Sequence, residues 1–212
     1  MNSRAMSNLR LAWCSYEAAL YAVKRWHYSG CLPAGKLVKA GVWEDGEFIG
    51  VVIFSRGACP QAGNQFGLQQ TQICELTRVA LNKHQTPVSR IVRIAIKMLT
   101  SASPGLRLII SYADKDQNHV GKIYQAGNWT YLGLTEADGG TPRWKIRGKI
   151  MHGRSVGSRG WSQNQEWLRK HIDPNAVPVY TLGKHKYAMP LDEPMRLLLA
   201  RLRKPYPTTR RK

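Results

Sequence analysis

Four places in this 212-residue sequence set proton-carrying or anion-binding side chains at the ends of foldable segments. Trp26-His27-Tyr28-Ser29 closes a helical pattern, and Glu75 and Arg78 sit in an alternating strand pattern. Ser111-Tyr112-Ala113-Asp114 ends a nearly continuous apolar stretch, and His119 and Tyr124 follow it. Imidazole, carboxylate and phenol groups hold or move protons, and a guanidinium orients an anion. Ligands of open α/β sheets bind at the carboxyl ends of strands, so Ser111 and Asp114 stand where a site belongs. Each residue also has a plainer use. His27 can be a satisfied core histidine, Arg78 an ion-pair partner of Glu75, Asp114 a helix cap, and Tyr124 a core ring.

The elements that must carry these residues are readable from periodicity. Ser15 caps a helix expected over 16–28, with Glu17 in its first turn. Strands are expected over 37–43 and 47–55, joined at Asp45-Gly46 as a hairpin, and a further strand over 71–81. Thr86 followed by Pro87 signals an N-cap and a helix to about residue 101. That helix has an apolar face of Val88, Ile91, Val92, Ala95 and Leu99 and a basic stripe of Arg90, Arg93 and Lys97. Residues 106–113 read as a strand buried on both faces, 118–126 as a short helix stopped by Gly127-Asn128, and 129–135 as a strand. Beyond Gly139-Gly140, a strand is expected near 143–150, a helix near 163–171 and a last helix near 193–203. The order is that of an α/β fold, with no GxGxxG and no P-loop.

Composition limits the function classes. The 32 Lys+Arg against 13 Asp+Glu leave a formal charge of +19 and a sequence pI near 10.2. Residues 1–140 carry 15 basic and 9 acidic side chains, whereas 141–212 carry 17 and 4. A field of that size concentrates polyanions, of which nucleic acid is the commonest in cells. Arg143, Lys145, Arg201, Arg203, Arg210 and Arg211 are the candidate phosphate contacts, several of them beside aromatic rings. No apolar run is long enough to cross a membrane. Cys14, Cys31, Cys59 and Cys74 form no CxxC, which argues against a zinc ribbon and for reduced thiols. Residues 1–7 lack the apolar core of a secretory signal, so a location inside the cell is expected.

Several ordered motifs are distinctive. They are Ala22-Val23-Lys24-Arg25-Trp26-His27-Tyr28-Ser29, Leu32–Val38, Cys74-Glu75-Leu76-Thr77-Arg78-Val79-Ala80-Leu81, Pro87-Val88-Ser89-Arg90, Leu106–Asp114 and Ile123-Tyr124-Gln125-Ala126-Gly127-Asn128-Trp129. Together they resemble the Mom family of bacteriophage DNA-modification proteins. The resemblance implies a mixed central sheet flanked by helices, like that of the Gcn5-related N-acetyltransferases. The composition boundary at Gly139-Gly140 divides the chain into an expected catalytic core over 1–140 and a basic C-terminal extension over 141–212, packed on the core and contacting nucleic acid. The implied activity converts adenine in double-stranded phage DNA to N6-carbamoylmethyladenine, protecting it from restriction, in the host bacterial cytoplasm. The resemblance singles out His27, Tyr28, Arg78, Asp114 and Tyr124. In that scheme Asp114 or His27 takes the N6 proton, Arg78 with Ser111 binds the donor, and Tyr28 and Tyr124 hold the base. It also implies an iron ion, for which His27 and Asp114 are the ligands to test.

One departure bears on the cofactor. Acetyltransferases of this fold cradle the coenzyme A pyrophosphate in a glycine-containing loop, whereas Asn82–Arg90 has no glycine and Pro87 removes one N–H donor. This argues against ordinary use of acetyl-CoA and leaves the donor unassigned. Two other readings remain open at this point: a coenzyme A-dependent N-acetyltransferase acting on a protein or small amine, and a basic DNA-binding protein without enzymatic activity.

Overall fold

The computed structural model describes residues 7–57, 59–136, 143–180 and 182–208. Two compact units divide the chain. The first comprises residues 1–112, 121–132 and 187–206, and the second 113–120, 133–186 and 207–212.

The first unit is built on a seven-stranded sheet. Strand β1 (Leu9–Trp13) lies at its edge, followed by β2 (Leu37–Glu44), β3 (Glu47–Ser55), β4 (Ile73–Leu81), β5 (Leu108–Asp114), β10 (Lys184–Pro190) and β6 (Thr130–Leu134). Strands β1 to β4 pair antiparallel, with the expected tight turn at Asp45-Gly46, where both residues have positive φ. The β4–β5 pair is parallel and short: it runs from Ile73↔Leu108 to Leu76↔Ser111, while β4 continues to Leu81. A register shift opposite Ile53 and Phe54 places Arg78 across from Ile53 and Glu75 across from Ser55. Arg78 and Glu75 therefore leave β4 on one face although they are three residues apart.

Helix α1 (Tyr16–Trp26) forms as expected, with Ser15 accepting from the Ala18 amide. It buries Ala19, Ala22 and Val23 against Val51, Ile53 and Ala80. Helix α2 (Val88–Ala102) buries Ile91, Val92, Ala95 and Leu99. Pro87, not Thr86, takes its cap position, because the Thr86 hydroxyl is engaged elsewhere. Helix α3 (Lys122–Ala126) is shorter than expected and starts at Gly121, whose φ of +74 and proximity to the Tyr187 ring exclude a Cβ. Helix α6 (Glu193–Leu202), capped by Asp192, packs Met195 and Leu199 on Ile73, Leu108, Ile110 and Ala188.

The second unit has its own small sheet, in the order β8 (Lys149–His152), β7 (Arg143–Ile146), β9 (Val177–Val179). The single strand expected over 143–150 is thus a hairpin, turning at Arg147-Gly148 with both residues at positive φ. Helices α4 (Gly153–Gly157) and α5 (Gln165–His171) complete it, around a core of Trp144, Ile146, Val156, Leu168 and Ala176. Trp161 and Trp167 pack against that core.

A cut at residue 140 does not describe these units. The strand β10 lies between β5 and β6 and helix α6 fills a core, so residues 187–206 belong to the first unit despite their basic composition. Their cations occupy surface positions while Tyr187, Ala188, Met195 and Leu199 point inward. Leu199→Ala should therefore cost about 2–5 kcal/mol of stability. Leu197→Ala, on the exposed side of the same helix, should change it by less than about 0.5 kcal/mol. Urea unfolding of the two variants is the measurement; equal, small effects would return α6 to the status of a tail.

Candidate active site

Within the first unit, the site is organised by the place where β4 and β5 part. Ser111 is fully buried, and its Oγ lies 2.7 Å from the Leu76 carbonyl oxygen and 2.7 Å from Tyr124 Oη. Ser111 is the donor in both contacts, its single hydroxyl proton shared between the Leu76 carbonyl and the Tyr124 phenol oxygen. Burial chiefly, together with nearby Tyr28, Glu75 and Tyr187, pushes the Tyr124 phenol up to about 12 against the opposing effect of Ser111. Tyr124 is a neutral hydroxyl at ordinary pH. Its ring is wedged between Trp129 and Tyr187, at centroid distances of 5.2 and 5.1 Å, which fixes the oxygen in place.

The second group lies at the end of α1. His27 is the helix C-cap, and its Nδ1 accepts from the Ser29 amide at 3.1 Å with the Ser29 hydroxyl at 2.8 Å. A backbone N–H cannot rotate away, so Nδ1 keeps its lone pair and the neutral ring carries its proton on Nε2. The Tyr28 ring stacks on His27 at 4.4 Å and is half exposed. The same loop is tied to β4: Arg78 Nε donates to the Cys31 carbonyl at 3.4 Å and Nη1 to the Thr77 carbonyl at 2.7 Å. Arg78 thus forms no ion pair with Glu75, and its remaining N–H groups are open to a ligand anion among the described residues.

Glu75 stands in the clustered polar set that the sequence shows, but the sequence assigned it no catalytic role. Its charge acts on both Tyr124 and Tyr112, the latter pushed up to about 12 mainly by burial and then by Glu75 and Cys59. Its carboxylate also abuts Gly57, where a Cβ would come within 2.9 Å of Oε2. The usable signal was an acid flanked by apolar residues in a core-like strand, Ile73-Cys74-Glu75-Leu76.

Asp114 lies in the second unit and is nearly buried. Its Oδ1 accepts from the Asp116 amide at 3.0 Å, capping the 115–117 turn, and its Oδ2 lies 4.0 Å from Lys184 Nζ. Ser111 and Asp114, three apart on β5, leave that strand on opposite faces. In the same unit Arg143 and Lys145 share the outward face of β7, with Arg143 Nη1 4.0 Å from Asp116. Arg201 and Arg203 are exposed at the end of α6, whereas Arg210 and Arg211 lie outside the described residues.

A separate buried cluster surrounds Glu44, at the end of β2. This carboxylate, 4% exposed, accepts from the amides of Gln85 (2.6 Å) and Thr86 (2.9 Å) and from the hydroxyls of Thr86 (2.5 Å) and Ser7 (2.8 Å). Burial opposes its charge, but these four donors prevail and hold it at about 2.

Residues 8–208 match the Mom protein family. The chain belongs to that family. Methylcarbamoylase mom of Escherichia phage Mu is 25% identical over 133 residues, covering 61% of this chain and 55% of the phage Mu protein. The chain therefore spans about half the length of that relative. Among solved structures, a candidate acetyltransferase from Acinetobacter baylyi ADP1 superposes with a TM-score of 0.50 at 12% identity, over 90% of this chain and 96% of that one. FeeM, an N-acyl amino acid synthase from uncultured soil microbes, gives 0.48 at 10% identity over 92% and 97%. The fold of this Mom-family chain is that of the acetyltransferases.

Neither implied cofactor fits the residues present. Among the described residues no three His, Cys, Asp or Glu side chains converge. His27 turns its lone pair to an amide and Asp114 caps a turn, so the expected iron ligands do not form a site. For coenzyme A, the loop between β4 and α2 should offer amides to pyrophosphate. Here the Gln85 and Thr86 amides are spent on Glu44 and Pro87 has none, so an internal carboxylate fills the cradle.

The acid response of the fold follows from Glu44. A carboxyl held at about 2 against an ordinary 4.5 contributes stability that is complete above pH 4.5 and lost as pH falls through 2. That difference corresponds to about 3 kcal/mol. Glu44→Gln should lower stability at pH 7 by about 2–4 kcal/mol and flatten the loss between pH 5 and 2, read from urea midpoints across that range. Parallel acid profiles for the two proteins would disprove the assignment.

Proposed function

We propose that this chain modifies DNA, transferring a carbamoylmethyl group to the N6 amine of adenine and so shielding phage DNA from host restriction. The observation that carries the reading is the family match over nearly the whole described chain, with a methylcarbamoylase of phage Mu among its relatives.

The side chains suit that chemistry. The N6 lone pair is delocalised into the ring, so the amine must be held against the donor's electrophilic carbon and relieved of a proton. The N6–CH2 bond forms as the leaving group departs with its electron pair. Exposed Tyr28, stacked on His27, offers a face to an extruded base, the route by which enzymes reach a base inside a duplex. Tyr124, its oxygen held by the Ser111 hydroxyl, is left with its own O–H to donate to the base or the donor group. Arg78 is suited to a carboxamide oxygen or an anionic leaving group.

The proton falls to a carboxylate. His27 presents Nε2–H as a donor and not a base, and the buried Tyr124 phenol, pushed up to about 12, keeps its proton. Glu75, whose charge reaches Tyr124, is our first choice as acceptor; Asp114 is the second. The donor of the two-carbon unit is placed without coenzyme A pyrophosphate in the α2 loop, since Glu44 occupies it.

Expression in a bacterial host followed by nucleoside mass spectrometry should show deoxyadenosine heavier by one carbamoylmethyl group. Glu75→Gln should reduce that product about 10²–10⁴-fold and Tyr124→Phe about 10–100-fold. Asp114→Asn, which keeps a capping oxygen and loses only the charge facing Lys184, should change thermal stability and product little. Full product from Glu75→Gln alongside none from Asp114→Asn would reverse the assignment, and unmodified adenine from the parent chain would end the reading.

A further inference from the structure

The basic stripe of α2 is not used by the site described above. Arg90, Arg93 and Lys97 are all exposed on one side of the helix, and all three line a groove enclosing about 1190 Å³. The far wall is made by Ile123, residues 126–130 and residues 189–191, and Arg196 supplies a fourth cation. No aspartate or glutamate lines the groove, and among the described residues no carboxylate lies within ion-pair distance of Arg90, Arg93 or Lys97.

Helix stability does not account for this arrangement. Like charges at i, i+3 and i, i+4 each disfavour a helix by about 0.2–0.5 kcal/mol. Arg90, in the first turn, also opposes the positive end of the helix dipole. The sequence of α2 holds no acid that would offset either effect. A row of uncompensated cations along a groove is, however, what a chain of phosphates requires. From Arg90 to Lys97 the helix rises about 10 Å, and long cationic side chains set along that length can reach successive phosphates of one strand.

We propose that this groove is the track for the sugar–phosphate backbone of the DNA substrate, with Arg90, Arg93 and Lys97 each neutralising one phosphate. The assignment rests on the DNA-modifying reading and makes it more specific: the main backbone grip lies on α2, within the first unit, in addition to any contacts from the C-terminal cations. Point charges that meet phosphates position the strand and carry no base specificity. The apolar floor, including Ile94 and Ile123, suits sugar and not a second layer of charge.

The test is the salt dependence of binding of the full chain to a fluorescent DNA duplex, followed by anisotropy. Arg90→Ala/Arg93→Ala/Lys97→Ala should weaken binding at least about tenfold near 0.1 M salt. It should also reduce the slope of log K against log salt by about 2–3, close to 0.9 per lost phosphate contact. Removing three exposed cations elsewhere (Lys24, Lys36 and Lys149 to Ala) should leave the slope within about 1 of the parent. Arg90→Lys/Arg93→Lys should retain it, because the contact is one of charge. Thermal unfolding of each variant separates loss of fold from loss of contact. A parental slope in the α2 variant, or an equal drop in the control, would overturn the groove. If the parent still yields modified deoxyadenosine in that case, the DNA-modifying reading stands without it. A parent that neither binds DNA nor modifies it removes both.

Discussion

The parallel pairing of β4 with β5 lasts for four residue pairs and then stops, and the candidate site exists because of it. A strand that leaves its neighbour exposes carbonyls and amides that must find other partners. Ser111 answers that need for Leu76 and in doing so orients Tyr124, so a backbone requirement and a side-chain position are met by one hydroxyl. The register shift on β4 has a related effect, bringing Glu75 and Arg78 to one face at a spacing that a regular strand would split. Arg78 then ties the strand to the loop carrying His27 and Tyr28 through the Cys31 carbonyl. The irregularities of the sheet, and not its regular part, set the chemistry.

Glu44 shows how the same fold can lose one ligand site. In an acetyltransferase-like frame the β4–α2 connection is an anion cradle by virtue of its free amides. Replacing its glycines removes backbone latitude, Pro87 removes a donor, and a carboxylate from β2 satisfies what is left. A phosphate entering there would have to displace an anion already bound by four donors, and pyrophosphate would face its charge at close range. The cradle is now a structural joint between β2 and α2.

Much of the fold was legible because periodicity and turn chemistry act locally. The limits of α1, β2, β3 and β5 fell within about two residues of expectation, and Asp45-Gly46 and Gly127-Asn128 turned or stopped the chain as their dihedral preferences require. The failures share a physical cause. β1, Leu-Arg-Leu-Ala-Trp, is a five-residue edge strand whose pairing to β2 defines it. β10, Lys-His-Lys-Tyr-Ala-Met-Pro, looks like a charged segment, yet it is a sheet strand with Tyr187 and Ala188 wholly buried. The hairpin at Arg147-Gly148 hid because arginine seldom takes a positive φ. In the site, the residue types were visible, but their partners were not. Ser111 and Tyr124 are 13 residues apart and Glu44 and Thr86 are 42 apart, and no local signal reports such pairs.

The compact units do not follow the chain's charge, for a physical reason. Lysine and arginine sit on the outside of whatever element carries them, so a basic stretch reports a surface and not a separate body. In the last third of the chain the cations of α6 ride on a helix whose other side is core. On α2 the relation runs the other way, since the helix interior is ordinary and its outer row of cations works against the helix itself. Where a protein tolerates charge that helps neither folding nor its own neighbours, the compensating charge must come from another molecule. In a chain of net charge +19, a row of phosphates is the partner whose charge such a row of cations suits.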